Sequence, residues 1–291
     1  MAPPPSGEPL TGPVLDHVAV AVEEWTDAWP RYAGELGAAW SSGGYGVGFA
    51  PAQLRFANAA KLEILQPWET GANPFLRRFL DSSGPGPHHL TFKVPDLDVA
   101  LNRVRAAGFE PQGIDRSDPG WMEAFLHPRQ ATGVVVQLAQ ATEDWDSPPL
   151  AGYPAERPPA ASLLRVVHAV PDLAAALGLF QGLLDGVLVD QGSGPEGTWD
   201  YAELTWPGPL AVRLISPRSG TDPATPVRLW LADRPGRVHH LAFTLPGGVR
   251  PAPSPVPRLV PGVLPAEGPP VTVVEPAENL GTRLVLLAAA P

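Results

Sequence analysis

Short apolar strand segments alternate with amphipathic helical segments along the chain, and this alternation repeats four times. Four similar segments open the units: LDHVAVAV (15–22), HHLTFKV (88–94), LLRVVHAV (163–170) and VHHLAFTL (238–245). Four others close them: KLEILQP (61–67), GVVVQLAQ (133–140), LAVRLISP (210–217) and GTRLVLLA (281–288). The matching positions 17, 89, 165 and 240 lie 72 to 76 residues apart. Such regular self-similarity indicates one structural unit that is used four times.

Each unit has the pattern of a strand, a helix and then three strands. In the first unit a helical pattern covers 23–37, where Pro30 should kink or shorten the helix because proline lacks a backbone N–H. Strand patterns follow around 45–50, 53–59 and 61–67.

The second unit continues this order after a short amphipathic helix predicted over 73–84. It offers a helix over 95–108 that ends at Gly108, followed by strands near 122–128 and 133–140. Four βαβββ modules of this kind predict an α+β fold in which the modules pair into two domains.

Proline-rich and charged stretches set the expected domain boundaries. Residues 1–12 are expected to form a mobile tail, and 142–162, TEDWDSPPLAGYPAERPPAAS, to link the two halves. The first domain then covers 13–141 and the second 163–291. Residues 246–270 carry too many prolines for the helix that the fourth module should have there.

Composition excludes several classes of protein. A formal net charge of −10 argues against a nucleic-acid partner, because binding to phosphates needs a surplus of Lys and Arg. No apolar run approaches the roughly 20 residues that a membrane-spanning helix needs, and the N-terminal segment lacks the pattern of a secretory signal. The absence of Cys excludes disulfides and thiolate ligands. We therefore expect a soluble cytoplasmic protein.

Four polar residues stand in register within the strands of the first two units. His17 and His89 occupy the opening strands, and Glu63 and Gln137 follow them in the closing strands after gaps of 46 and 48 residues. Burying a carboxylate or an amide inside an apolar strand costs several kcal/mol unless its polar atoms have a partner. Two histidines, one carboxylate and one amide oxygen are a good ligand set for a divalent metal. The alternative is that Glu63 pairs with a neighbouring Arg or Lys and both histidines are core residues.

Other polar and aromatic residues of the first half receive weaker roles. His88 precedes His89 and should point to the opposite face of its strand. A turn role is expected for His127, and Glu123 should be solvated. Tyr45 and Trp121 could line the cavity or serve only in packing.

The second half has different residues at the four ligand positions. They are Arg165, Arg213, His240 and Val285, which cannot together hold a divalent metal. His168 should lie on the opposite face from Arg165. This half is expected to support or cover the first site, and its two arginines could bind an anionic group.

The order helix, G-x-HH, apolar strand, followed by FLHP and TGVVVQLAQ, resembles the vicinal oxygen chelate superfamily of glyoxalases, epimerases and extradiol dioxygenases. Residues 14–140 look most like its methylmalonyl-CoA epimerase branch. The resemblance implies paired βαβββ modules and one divalent ion, Zn²⁺, Co²⁺, Ni²⁺, Mn²⁺ or Fe²⁺. It places the ligands at His17, Glu63, His89 and Gln137, with Glu and Gln exchanged relative to the usual order in the epimerase branch.

The resemblance also implies a chemistry. In this superfamily the metal binds vicinal oxygens of a small-molecule substrate and stabilises an enolate, which lowers the pKa of the adjacent C–H. The epimerase branch has a further Glu on an early strand of its first unit, but the matching segment here, YGVGFAPA, has no acid. Glu63 and Tyr45 are therefore the candidate proton-transfer residues.

The leading hypothesis is a metal-dependent epimerase or isomerase that acts beside a carbonyl. The first alternative is a non-haem iron dioxygenase of the extradiol type, and the second is a small-molecule binding or resistance protein of the same fold. Either a monomer or a homodimer is compatible with the sequence.

Overall fold

Two mixed β-sheets with flanking helices form the structure, a computed structural model that describes residues 10–142, 145–155, 161–195, 197–245, 260–264, 267 and 272–288. The strands of the first sheet are β1 (Val14–Ala21), β2 (Ala39–Gly43), β3 (Gly48–Arg55), β4 (Lys61–Trp68), β5 (Gly86–Lys93), β6 (Gln112–Asp115), β7 (Trp121–Leu126) and β8 (Val135–Ala141). They lie in the order β2-β3-β4-β1-β5-β8-β7-β6.

The second sheet repeats this arrangement with one strand fewer in the part of the chain that is described. Its strands are β9 (Ser162–Ala169), β10 (Val187–Ser193), β11 (Trp199–Thr205), β12 (Ala211–Pro217), β13 (Arg237–Leu245), β14 (Thr272–Val274) and β15 (Leu284–Ala288). Their order is β10-β11-β12-β9-β13-β15-β14. The predicted α+β class with paired modules is confirmed.

The helices lie between the strands, as the βαβββ pattern requires. They are α1 (Trp25–Trp29), α2 (Phe75–Ser83), α3 (Leu97–Ala106), α4 (Leu173–Leu177) and α5 (Pro226–Leu231). A π-helical segment extends α1 over Pro30–Glu35 and another extends α4 over Gly178–Leu183. The α-helix of the first half ends at Trp29, directly before Pro30, but α4 makes the same change after Leu177 with no proline beside it, so proline alone does not explain the change.

Helix α3 follows its predicted signals. Asp96 caps its first turn by accepting a hydrogen bond from the Val99 N–H. Gly108 lies just beyond its end with a positive φ of 88°, a conformation that glycine adopts without strain.

The strands between the ligand positions differ in part from the predicted ones. The patterns over 45–50 and 53–59 belong largely to one strand, β3, while β2 and β6 were not predicted. Pro51, which falls between the two predicted strands, lies within β3. The Pro51 carbonyl accepts a hydrogen bond from the Gly44 N–H, just past the end of β2. The Pro51 nitrogen, which has no hydrogen to donate, faces the same side, where β2 has already ended.

Strand pairing brings the four ligand positions together at the centre of the first sheet. β1 lies between β4 and β5, and β8 lies beside β5. Ala19 of β1 is opposite both Glu63 and His89. Because side chains alternate between the faces of a strand, apolar residues such as Val18, Leu62 and Leu90 fill the core on the other face.

The two halves pack tightly against each other. Their buried apolar residues form one continuous cluster, in which the ring of Phe92 lies 5.1 Å from that of Trp206. At the surface Arg103 makes a bidentate ion pair with Asp185, with both contacts at 2.6 Å. His168 points away from the cleft of its own half, as predicted, and its Nε2 lies 2.8 Å from the Thr132 carbonyl of the other half.

The predicted linker lies in part along the edge of the first sheet. The Ser147 hydroxyl donates to the Gly43 carbonyl and accepts from its N–H, and the Tyr153 hydroxyl donates to the Ala38 carbonyl. Most of the expected tail lies outside the described residues, as does most of 246–270. No helix in the part of the chain that the structure describes is both long and apolar enough to cross a membrane.

Candidate metal centre

Three of the predicted ligands converge on one point. The Nε2 atoms of His17 and His89 lie 3.6 Å and 3.5 Å from Oε2 of Glu63, and one ligand atom of each residue lies within 4.8 Å of the others. The three residues are almost fully buried, with exposed fractions of 1%, 5% and 8% for His17, His89 and Glu63. A buried carboxylate between two imidazole nitrogens is a suitable cluster for a divalent cation.

The orientation of His17 is set by its neighbour Asp16. Oδ2 of Asp16 lies 2.8 Å from Nδ1 of His17, which leaves Nε2 directed at Glu63. This is the carboxylate–histidine arrangement that commonly supports metal ligands. Lys61 and Lys93 lie 3.3 Å and 3.4 Å from the other Asp16 oxygen and help to hold the carboxylate in place.

Both members of this pair have shifted pKa values. Burial acts to raise the pKa of Asp16, but the hydrogen bond from His17 and the charge of Lys61 outweigh it and hold the pKa well below its usual range. Burial likewise acts to lower the pKa of His17, but the charge of Glu63 and the hydrogen bond to Asp16 raise it to about 9. The metal-free site therefore carries a protonated His17 at neutral pH.

The position of His88 differs from the prediction. The pairing of β1 with β5 shifts register between Ala19–His89 and Val20–Pro87, so His88 is an extra residue in a β-bulge. Its ring is buried, 4.7 Å from that of Phe79, and its Nδ1 lies 2.8 Å from Nδ1 of His89. The bulge interrupts the alternation of faces, which is why the prediction of an opposite face for His88 was wrong.

His89 has a nitrogen available for a ligand. Its Nε2 is buried and has no hydrogen-bond partner among the described residues. Burial lowers the pKa of His89 well below its ordinary value, so the ring is neutral. A buried ring nitrogen without a partner costs free energy that a bound cation would recover, so the residues present fit a divalent metal.

Gln137 lies beside this cluster and is linked to it through Thr91. The Thr91 hydroxyl donates to Oε1 of Gln137 at 2.5 Å and lies 2.9 Å from Nε2 of His17. The amide nitrogen of Gln137 donates to Oε2 of Glu123 at 2.6 Å. Gln137 is therefore connected to His17 through the Thr91 hydroxyl, on the side of His17 away from Glu63.

Glu123 was expected to be solvated, and this was wrong. Its Oε2 accepts hydrogen bonds from Gln137 and from the indole N–H of Trp121, at 2.6 Å and 2.7 Å. Phe125 lies opposite Gln137 in the β7–β8 pair, so Glu123, two residues earlier, shares the face of Gln137. Burial raises the pKa of Glu123 despite these hydrogen bonds.

The other candidates of the first half lie elsewhere. Tyr45 is 58% exposed and packs against Trp25 and Trp68, with ring distances of 5.6 Å and 4.6 Å. None of its contacts within the described ranges reaches the histidine–glutamate cluster. His127 accepts from the Arg129 N–H at 3.1 Å, which agrees with the predicted turn role.

In the second half an ion cluster occupies the equivalent position. The guanidinium of Arg213 donates to Glu203 at 2.6 Å and to Glu267 at 3.0 Å, and Arg165 is paired with Glu267 as well. Arg213 also donates to the carbonyl of Gly262 at 2.6 Å. The two arginines are thus neutralised by carboxylates of their own chain, which corrects the expectation that they could bind an external anion.

The chain segment 260–264 fills the cleft above this ion cluster. Its Val260 and Val263 pack against Val285 and Leu287 in a small apolar cluster. Gly262 has a φ of 90°, and a Cβ at this position would lie 2.5 Å from a methyl carbon of Val167, so only glycine fits there. The second half therefore lacks the candidate ligand set, and the segment 260–264 lies over the equivalent position.

Comparison with known proteins agrees with this architecture. Residues 15–184, more than half of the chain, match the glyoxalase-like domain family. The protein therefore belongs to the glyoxalase-like domain family, within the vicinal oxygen chelate superfamily. No curated protein sequence matches the chain.

Solved structures are similar to the chain over most or about half of its length. A mutant of 4-hydroxymandelate synthase from Streptomyces coelicolor is 17% identical over 84% of this chain and 72% of its own, with a TM-score of 0.61. Methylmalonyl-CoA epimerase from Mycobacterium tuberculosis is 28% identical over 47% of this chain and 92% of its own, with a TM-score of 0.40. A hypothetical protein from Bacillus halodurans C-125 is 26% identical over 46% and 99% of the two chains, with a TM-score of 0.41.

Proposed function

We propose that the protein is a divalent-metal-dependent epimerase or isomerase that moves a proton beside a carbonyl of a small oxo or hydroxy compound. In this proposal His17, Glu63, His89 and Gln137 hold the metal. When bound, the metal supplies Lewis-acid polarisation of a carbonyl oxygen, which acidifies the adjacent C–H. The observation that carries the proposal is Glu123, a carboxylate beside the ligand set that is not needed as a ligand.

Glu123 is the residue best suited to move the proton. Burial raises its pKa, which brings a carboxylate closer to the value that proton transfer at neutral pH requires. Trp121 and Gln137 donate to the same oxygen, Oε2, and so fix the orientation of the carboxylate, while Oε1 has no hydrogen-bond partner among the described residues. Glu63, by contrast, is directed at the two histidine nitrogens and is better suited as a ligand.

The test separates metal binding from proton transfer. Glu123→Gln removes the base and keeps the size of the side chain. We expect it to retain Zn²⁺ while deuterium exchange from D₂O into small 2-oxo and hydroxy-ketone acids, followed by ¹H NMR, falls by about 10²- to 10⁴-fold. Glu63→Gln, the matched change at the ligand, should instead lose metal. If deuterium exchange is retained in Glu123→Gln but lost in Tyr45→Phe, the proton-transfer residue is Tyr45 and not Glu123.

A second candidate function is an iron-dependent dioxygenase of the extradiol type. The observation that favours it is the set of two histidines and one carboxylate around one point, which is also the ligand set of non-haem iron oxygenases. Oxygen uptake with Fe²⁺ and a catechol-type substrate, without exchange of deuterium, would support this function over the first.

We also propose the division of the chain into a metal-binding domain over 13–141 and a second domain over 163–291. A small-molecule substrate, a cytoplasmic location and a monomeric or homodimeric state remain predictions. The second domain, with its filled cleft, would act by supporting the first through their shared core.

A further inference from the structure

Each half of the protein carries two adjacent histidines in the same arrangement. Nδ1 of His88 lies 2.8 Å from Nδ1 of His89, and Nδ1 of His239 lies 2.7 Å from Nδ1 of His240. A hydrogen bond between two ring nitrogens needs one donor and one acceptor, so one proton lies between the rings of each pair. The ring that holds this proton has its lone pair on Nε2, the atom that a metal would use.

In the second half Arg283 fixes the position of this proton. Its guanidinium lies 3.0 Å from Nε2 of His239, and a guanidinium can only donate. His239 must therefore accept at Nε2 and carry its proton on Nδ1, from which it donates to His240. The proton of His240 then lies on its own Nε2, a buried atom with no partner among the described residues. That nitrogen has no lone pair for a metal.

Two contacts hold Arg283 in this position. Oε2 of Glu275 accepts from its Nε at 2.9 Å, and its guanidinium lies 4.1 Å from the ring centre of Trp230. A cation held by a carboxylate and an aromatic ring has little freedom to release His239.

The first half lacks this arginine. Residues 127–137 correspond to 275–285 at a constant offset of 148 positions, which places a proline at the second position and a glycine at the seventh of both segments. In this correspondence Val135 stands in place of Arg283, and His127 in place of Glu275. Val135 pairs with His89 on the neighbouring strand.

The proton between His88 and His89 is therefore free to lie on His89. Among the described residues nothing donates to Nε2 of His88, so that atom can carry the proton of its own ring. His89 can then donate from Nδ1 to His88 and keep the lone pair of Nε2, which faces Glu63 at 3.5 Å.

We propose that residue 135 controls metal binding in the first half by leaving this proton free, and that Arg283 withholds the Nε2 lone pair of His240 in the second half through the same pair of rings. The inference rests on the proposed metal site and makes His88 a positioning residue for the ligand His89. It predicts that one substitution outside the ligand set, Val135→Arg, gives the two rings of the first half the proton arrangement of the second half.

The first experiment measures Zn²⁺ affinity of the full-length protein by competition with a chromophoric chelator. Val135→Arg, alone or with His127→Glu to supply the carboxylate that holds the arginine, should weaken binding by about 10- to 100-fold, the usual effect of disturbing a group behind a ligand. Val135→Met, similar in length but without a donor, should keep the parent affinity. Equal affinity in Val135→Arg and Val135→Met would overturn the proposal.

A double-mutant cycle separates proton position from simple charge repulsion. In His88→Asn the amide oxygen can replace Nδ1 as the acceptor from His89, and no second ring nitrogen remains for the arginine to control. His88→Asn should therefore retain Zn²⁺, and adding Val135→Arg should have little further effect. An arginine that weakens binding equally in both backgrounds acts through its charge, and this outcome would also overturn the proposal.

The second experiment reads the protons directly by long-range ¹H–¹⁵N NMR of the histidine rings. The parent should show His239 protonated at Nδ1 and His240 at Nε2, and the Zn²⁺-loaded parent should show His88 protonated at Nε2. Metal-free Val135→Arg should move the proton of His88 to Nδ1, while unchanged signals from the second half verify its fold. A proton on Nδ1 of His240 with Arg283 in place would refute the inference. Predicted ring protons in a parent that binds no Zn²⁺ would support the proton assignment, and would reject both the proposed function and the control of metal binding by residue 135.

Discussion

The hydroxyl oxygen of Thr91 lies 2.9 Å from Nε2 of His17, the ring nitrogen that faces Glu63. Since this hydroxyl donates its proton to Gln137, the imidazole N–H must be the donor to Thr91. A nitrogen that carries a proton has no lone pair for a metal. Metal binding at His17 therefore has to break this contact, which makes Thr91 a stabiliser of the metal-free site.

Replacing Thr91 tests this relationship through stability rather than activity. Thr91→Val should lower the free energy of unfolding of the metal-free protein by about 1–3 kcal/mol, because two buried polar groups lose a partner. The loss should be smaller in the Zn²⁺-saturated protein, where the contact with His17 is already broken. Urea unfolding in chelator and in Zn²⁺ measures both values. Ser216→Ala, which removes a buried hydroxyl in the second half, should cost the same in both conditions.

The ligand set makes a simpler prediction about metal content. His17→Ala, Glu63→Ala and His89→Ala should each lose most of the bound Zn²⁺, because each removes one of the three donors that lie around one point. His240→Ala, the matched change in the second half, should keep the parent stoichiometry. Metal analysis of the purified proteins measures this, and full occupancy in His89→Ala would show that the ligands are different residues.

The exchange of Glu63 and Gln137 gives a prediction in which binding and turnover separate. The double change Glu63→Gln with Gln137→Glu keeps one carboxylate and one amide, so Zn²⁺ should still bind. It also replaces the amide that donates to Glu123 by a second carboxylate. Two adjacent carboxylates cannot both ionise easily, so one pKa should rise. We expect the pH optimum of deuterium exchange to move upward and the rate to fall, and an unchanged profile would contradict the contact with Glu123.

The sequence predicted the part of the site that depends on period and spacing. His17, Glu63 and His89 could be found because nearly equal gaps, 46 and 48 residues, place them and Gln137 at matched positions of strands whose faces alternate. His88 could not, because the bulge that turns its ring toward His89 arises from the pairing of β1 with β5. Glu123 was missed for a related reason, since its face depends on the register of β7 against β8.

The ion cluster of the second half could be predicted only in part. The sequence showed that Arg165 and Arg213 replace two ligands, but their partners lie far along the chain. Glu267 is 54 residues beyond Arg213 and follows a proline-rich segment without strand or helix pattern. No local pattern indicates that such a segment returns to the cleft.

This ion cluster gives a prediction for stability. Arg213→Met should destabilise the protein by about 3 kcal/mol, because it leaves the half-buried carboxylates of Glu203 and Glu267 without their main partner. Arg77→Met at the exposed pair with Glu23 should cost much less, because solvent screens this pair. Thermal and urea unfolding measure both variants, and similar small losses would show that Glu267 does not depend on the arginine.

The contact between His168 and Thr132 predicts how the joint between the halves responds to acid. Nε2 of His168 donates to the Thr132 carbonyl, and burial lowers the pKa of His168 from an ordinary value of 6.5 to about 4. A lowered pKa means that the unfolded chain binds the proton more readily, so the contribution of His168 is present above pH 6.5 and is lost as the pH falls toward 4. The loss amounts to about 3 kcal/mol. His17 has a raised pKa, so its protonation differs between the folded and unfolded chain only between pH 6.5 and about pH 9, outside this range.

In His168→Gln the amide can still donate to Thr132 but does not titrate. We therefore expect the unfolding free energy of this variant to fall less between pH 7 and pH 4.5 than that of the parent, while other buried histidines such as His88 contribute equally to both proteins. Parallel pH profiles for the two proteins would show that His168 is not held neutral at this joint.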